Sequence, residues 1–187
     1  MKIEPTHLPG VLLIQPDVFG DQRGYFKESW NRMKYAEQGL DVDFVQDNLS
    51  FSKKGILRGL HFQNPLPQGK LVQALQGEVF DVAVDIRKGS PNFGQWFGTV
   101  LSAENHLQMY VPEGFAHGFC VLSETALFAY KCTEFYNPQS EYSLSFDDPD
   151  IGILWPFDEP PSLSAKDLNA KLLKDFPQES LPLYPKP

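Results

Sequence analysis

Gly77-Glu78-Val79-Phe80-Asp81-Val82-Ala83-Val84-Asp85-Ile86-Arg87 is the stretch on which the fold turns. Phe80, Val82, Val84 and Ile86 fall on one side of an extended chain, and Val79, Asp81, Ala83 and Asp85 on the other. This period-two alternation is that of a strand with one buried face. The second side carries two carboxylates among small apolar groups, which suits the wall of a cavity better than a face in bulk water. Similar runs occupy 44–52, 56–62, 71–75, 96–101, 107–111, 119–122 and 127–136, separated by glycine or proline at Gly55, Gly69, Gly77, Gly89, Pro91, Gly94, Pro112, Gly114 and Pro138. Two stretches read as helices. Asn31–Gln38 stops at Gly39, a natural residue just past a helix end. Ser164–Lys174 opens on an N-cap serine with Asp167 three residues on. Many short strands with few helices predict an all-β sandwich or barrel of the jelly-roll kind.

The remaining composition narrows the function. The 187 residues suit one domain, 1–187, with the proline-rich 175–187 (Pro177, Pro182, Pro185, Pro187) expected as an extended surface tail. No apolar run approaches the ~18–20 residues of a membrane span. Met1-Lys2-Ile3-Glu4-Pro5 lacks the features of a signal peptide, so a cytoplasmic protein is expected. Cys120 and Cys132 have apolar neighbours and no C-x-x-C spacing, and read as reduced core thiols. A net charge of −8 argues against sequence-independent nucleic-acid binding but leaves room for an anionic small molecule held by a few convergent cations.

Four segments hold candidate chemistry. Gln46, Asn48, Ser50 and Ser52 share one side of a strand, either as a solvated face or as a cavity wall. In Gly55–Gln63, strict alternation puts Arg58, Leu60 and Phe62 on one side and Leu57, Gly59, His61 and Gln63 on the other. His61 there is either a hydrogen-bonded core residue or a functional one. His117 lies in a turn-to-strand segment, Val111–Phe119, as a ligand contact or a turn residue. Tyr130 shares a side with Phe128 and Cys132 and by itself reads as core packing with a satisfied hydroxyl. Metal-ligand spacing is missing: His61 is followed by Phe62 and Gln63, with no H-x-H pair, and His106 and His117 stand eleven residues apart. Nucleophile-elbow, P-loop and dinucleotide-binding patterns are absent too.

Taken in order, the blocks Arg23–Glu28, Gln46–Ser50, Gly55–Gln63, Gly69–Val72, Gly77–Arg87, Ser90–Gly94, Val111–Phe119, Leu122–Glu124, Asp147–Pro149, Ile153–Pro156 and Leu163–Asp167 resemble the dTDP-4-dehydrorhamnose 3,5-epimerase family, from about residue 3 to 175. The departures are small: Asn92 where threonine is common, and a variable tail. The resemblance implies a cupin-type jelly roll (a double-stranded β-helix) that is free of metal and other cofactors and forms a homodimer. The implied reaction inverts C3 and C5 of a dTDP-4-keto-6-deoxyhexose, giving the L-configured precursor of dTDP-rhamnose for cell-surface polysaccharide. By the same resemblance His61 is the base, Asp167 its carboxylate partner, Lys70 the cation at the developing C4 oxyanion, and Tyr130 the acid on the opposite face. Arg23, Glu28, Gln46, Asp47, Asn48, Arg58, His117, Glu141 and Lys166 match substrate-contact positions, and Tyr136 matches the aromatic that stacks on thymine. Arg58 and His61 then need one side of a strand whose alternation separates them, and Gly59 is the place to absorb that mismatch. Three alternatives remain open: a single-centre (3- or 5-) epimerase, a metal-dependent cupin, and a non-catalytic jelly roll that binds a nucleotide sugar.

Overall fold

The structure is a computed structural model that describes residues 1–185. Its strands are β1 (Lys2–Pro5), β2 (Leu12–Gln15), β3 (Val18–Asp21), β4 (Gly24–Lys27), β5 (Gln46–Lys53), β6 (Leu57–Gln63), β7 (Lys70–Gln76), β8 (Glu78–Asp85), β9 (Trp96–Ser102), β10 (Gln108–Val111), β11 (Phe115–Val121), β12 (Thr125–Cys132) and β13 (Glu141–Ser143). Two short helices are α1 (Arg32–Glu37) and α2 (Ala165–Leu168). A six-stranded sheet, β1-β2-β10-β7-β12-β5, faces a five-stranded sheet, β13-β6-β11-β8-β9. Every strand pair is antiparallel. This is the cupin-type jelly roll, and β3 and β4 form a separate hairpin.

The two-sided pattern of β8 explains the layering. Val79 and Ala83 point between the sheets, into a cluster with Val72, Met109, Phe119 and Phe128. Val82, Val84 and Ile86 point outward, yet they too are fully buried, beneath Leu144, Ile151, Leu173, Phe176 and Leu181. So β8 has two buried faces rather than one, because the C-terminal chain lies across the back of its sheet. The same contacts correct the expected surface tail. Phe176 and Leu181 are only 5% and 3% exposed, and Leu183 bridges to Lys88. Apolar residues placed among the prolines tie this segment down; Pro187 lies outside the described residues.

Both helices start where the sequence places them. Asn31 accepts a hydrogen bond from the Lys34 amide, and α1 ends before Gly39, whose φ of 95° needs a residue without a Cβ. Ser164 likewise accepts from the Asp167 amide. The second helix, however, stops after four residues instead of running to Lys174. The backbone of Lys171 is drawn off to pair with Ser143 and Ser145, and Asn169 Nδ2 closes the helix by donating to the Ala165 carbonyl. A short helix clamped to a strand holds Lys166 and Asp167 at fixed positions.

The pairing of β6 with β11 carries one irregularity. His117 lies opposite His61, and Phe119 opposite Arg58. Three residues of β6 are therefore spanned by two of β11, a bulge at Gly59–Leu60. A Cβ on Gly59 would stand 2.6 Å from the His117 carbonyl oxygen, so the bulge requires glycine there.

Candidate active site

The bulge resolves the mismatch in β6: Arg58 and His61 both turn inward and line one cleft. It is forked. One branch, about 470 Å³, is lined by Ser50, Arg58, His61, Lys70, His117, Phe119, Tyr130 and Asp167 among others. The other, about 440 Å³, adds Gln46, Asn48, Tyr136, Glu141 and Lys166. His61, Lys70 and Tyr130 belong to both branches and mark the junction. Each volume lies in the range of small-molecule sites.

On the five-stranded side, His61 Nε2 lies 2.6 Å from Asp167 Oδ1, a contact spanning 106 residues. The other carboxylate oxygen of Asp167 accepts from the Ser164 hydroxyl at 2.8 Å. The capping serine of α2 therefore also orients the carboxylate that orients His61. Burial pushes the Asp167 pKa up, but hydrogen bonds from His61 and Ser164 and the nearby Lys166 outweigh it and hold the carboxyl below its ordinary range.

On the six-stranded side, Lys70 and Tyr130 come from the adjacent strands β7 and β12. Lys70 is 9% exposed and makes no hydrogen bond or ion pair among the described residues. Burial lowers its pKa, so the charge it carries is poorly solvated and available to a ligand. Burial raises the pKa of Tyr130, keeping its phenol protonated at neutral pH. Neighbouring β5 presents Gln46, Asn48, Ser50 and Ser52 inward, the cavity-wall alternative for that polar side. Ser52 Oγ accepts from Arg58 Nε at 2.9 Å and holds the guanidinium at the cleft wall, while the Ser50 hydroxyl is buried without a partner among the described residues.

At the outer end of the second branch, Tyr136 donates its hydroxyl to Glu141 at 2.8 Å, and its amide donates to Gln46 Oε1 at 2.9 Å. Glu141 also pairs with Lys166. Burial raises the Glu141 pKa, but the bonds from Lys166 and Tyr136 prevail and keep it below the usual carboxylate range.

Three expected contact residues stand apart. Asp47 lies on the opposite side of β5 from Gln46 and Asn48; it is exposed and paired with Lys131. Arg23 sits at the tip of the β3–β4 hairpin, its side chain 90% exposed and paired with Asp21. Glu28 is engaged by Lys34 and Asn31 near α1. None of the three lines the cleft within its own chain. Conversely, sequence reading did not single out Ser164 as an orienting group, Ser52 as the holder of Arg58, or Asp81, which lies 2.9 Å from His117 Nε2. Alternation did place Asp81 on the cavity side of β8; what it lacked was the partner.

Comparison with known proteins gives a consistent result. The profile of the dTDP-4-dehydrorhamnose 3,5-epimerase family matches residues 5–175. The dTDP-4-dehydrorhamnose 3,5-epimerase of Salmonella typhimurium is 58% identical over 92% of this chain and 96% of its own. A dTDP-6-deoxy-D-glucose-3,5-epimerase from Legionella pneumophila, solved in complex with dTDP-4-keto-L-rhamnose, superposes with a TM-score of 0.96 at 53% identity, covering 99% of each chain. A more distant 3'-monoepimerase from Streptomyces bikiniensis, solved with dTDP-quinovose, has a TM-score of 0.89 at 34% identity, covering 96% of this chain and 92% of that one.

Proposed function

This chain belongs to the dTDP-4-dehydrorhamnose 3,5-epimerase family, and from that premise we infer that it is an isomerase inverting C3 and C5 of dTDP-4-dehydro-6-deoxy-D-glucose to give dTDP-4-dehydro-L-rhamnose. One observation carries the reading: a histidine on one sheet, paired with an aspartate of α2, lines one cleft with a protonated tyrosine and a buried lysine from the other sheet. Inversion next to a ketone needs this division. The protons on C3 and C5 are acidic because C4 is a carbonyl, and loss of either leaves an enolate. His61 takes the proton from one face, with Asp167 fixing the imidazole and supporting the cation it becomes. Lys70 meets the negative charge on the C4 oxygen. Such a donor, desolvated and already in position, contributes about 3–4 kcal/mol in comparable sites. Tyr130 returns a proton from the opposite face, which inverts the centre. Arg58 and Lys166 are the cations placed for the diphosphate, and Tyr136 offers the ring for thymine.

The test is proton NMR of the substrate with purified enzyme in deuterated water, a reductase trapping the product. Deuterium at both C3 and C5 is the expected result. Deuterium at one carbon alone would identify a single-centre enzyme, the activity named for the Streptomyces bikiniensis relative. No exchange at either carbon would return the binding-protein and metal-cupin alternatives. A cytoplasmic enzyme supplying dTDP-rhamnose is the corresponding cellular reading; among the described residues no helix is long and apolar enough to cross a membrane.

We also propose a homodimer. The outer side of β5 exposes Leu49 and Phe51, and the hairpin exposes Phe19 and Phe26, each more than half accessible. Apolar surface of this kind fits a subunit contact. A second copy packed there explains why Arg23 and Glu28 stand away from their own cleft: a neighbour's hairpin delivers them. Sedimentation should give twice the 21.2 kDa chain mass. A 21.2 kDa species at micromolar concentration would remove the dimer and leave Arg23 without a role.

A further inference from the structure

A second histidine–carboxylate pair lies deeper in the cleft wall. His117 on β11 presents Nε2 to both oxygens of Asp81 on β8, at 2.9 and 3.0 Å. Asp81 is completely buried. The Phe128 ring stacks on the imidazole with centroids 6.3 Å apart and planes at 16°. One ring nitrogen and one ring face are thus fixed, while Nδ1 has no partner among the described residues. His117 lines the branch of the cleft that also holds Lys70 and His61. The charged and titratable groups facing it are Asp81 from β8, Arg58 and His61 from β6, Lys70 from β7, Tyr130 from β12 and Asp167 from α2.

Proton counting decides what Nδ1 offers. With two protons, one shared between Nε2 and the carboxylate and one on Nδ1, the pair is net neutral, whichever partner holds the shared one. With a single proton the pair is a buried net anion, and Nδ1 becomes a bare acceptor. Burial penalises the anion heavily, and it pushes the Asp81 carboxyl pKa up against the pull of His117 and Lys70. Burial thus favours the two-proton state, in which Nδ1 carries hydrogen.

We propose that Asp81 is a positioning residue that fixes His117 as a hydrogen-bond donor through Nδ1, so that an oxygen of the ligand meets two N–H donors, Lys70 and His117. The proposal rests on the epimerase reading only for the identity of that oxygen, which gains charge during enolisation. A carboxylate thus creates a donor it never presents itself. Sequence-distant from both His61 and Asp167, the pair differs in task from the first dyad: it holds a proton where the first must move one.

The test is ¹⁵N NMR of the intact chain with labelled histidine, together with kinetics of Asp81→Asn. In the wild type at about neutral pH, His117 Nδ1 should be protonated; a bare Nδ1 with protonated Nε2 overturns the proposal. This spectrum needs no turnover, so it is separable from the epimerase reading, which fails if the wild type exchanges neither C3 nor C5. In Asp81→Asn an amide replaces the carboxylate that holds the second proton of the pair, and the fixed Nδ1 donor is lost. Its kcat should fall about 100-fold, the scale for one oxyanion donor, with KM nearly unchanged. A loss that appears in KM with kcat unchanged overturns the positioning role. In a His117→Gln background, adding Asp81→Asn should leave kcat unchanged; a further loss of similar size means Asp81 does not act through His117. Should Asp81→Asn fail to fold, the wild-type spectrum decides alone.

Discussion

His61→Ala is expected to lose about three orders of magnitude in turnover, within the range that a positioned general base contributes, while still binding a thymidine nucleotide. The separation of effects follows from the forked cleft. His61 stands at the junction, whereas Tyr136, Glu141 and Gln46 form a hydrogen-bonded group at the outer end of the second branch that does not depend on the imidazole. Stopped-flow or NMR turnover, set beside calorimetric titration with thymidine diphosphate, checks both halves. A variant that keeps a tenth or more of the rate would show that another group abstracts the proton. Loss of nucleotide binding along with activity would mean that the alanine had collapsed the cleft.

The Asp167 partnership adds a stability term with a definite sign. The carboxyl is held below its unfolded value, so what its contacts contribute is fully present above the ordinary aspartate pKa of about 3.9 and lost as pH falls through the folded value. At neutral pH the pair is intact, and His61 works from a fixed orientation.

Much of the fold was legible because its physics is local. The alternation in Gly77–Arg87 and the glycine and proline punctuation mark most of the strands, and Asn31 and Ser164 announce their helices through side-chain caps. What escaped is what depends on distant chain. The outer side of β8 is buried only because Leu173, Phe176 and Leu181 return across it. The second helix is short only because Lys171 is recruited by the strand region at Ser143. The site divides in the same way. Period two grouped Gln46, Asn48, Ser50 and Ser52 on one side of a strand without saying whether that side met solvent or a cavity, and the same rule puts Asp47 on the far side of β5. The partnerships of His61 with Asp167 and of His117 with Asp81 join residues 106 and 36 positions apart; no spacing rule reaches them, and the family resemblance supplied the first but not the second. The bulge at Gly59 lies between these cases. Two inward residues three apart require an extra residue, and a glycine between them marks its place.

Tyr130→Phe should uncouple the two halves of the reaction. Removing the hydroxyl leaves the His61–Asp167 pair and Lys70 untouched on their own elements, so proton abstraction and enolate formation persist. The enolate can then be reprotonated only from the side on which His61 stands, returning the original configuration with solvent hydrogen in place. Deuterium should therefore enter C3 or C5 of recovered substrate at a rate within about tenfold of the wild type, while inverted product falls about 100-fold or more, on the scale of a lost general acid. The phenylalanine fits without a cavity, because the ring already packs against Phe128 at 6.1 Å and only a hydroxyl is lost. Equal loss of exchange and inversion would place Tyr130 in proton abstraction or in ligand binding rather than in proton return. Inversion at the wild-type rate would make solvent the acid, and the opposition of the two sheets across the cleft would then have no part in the stereochemistry.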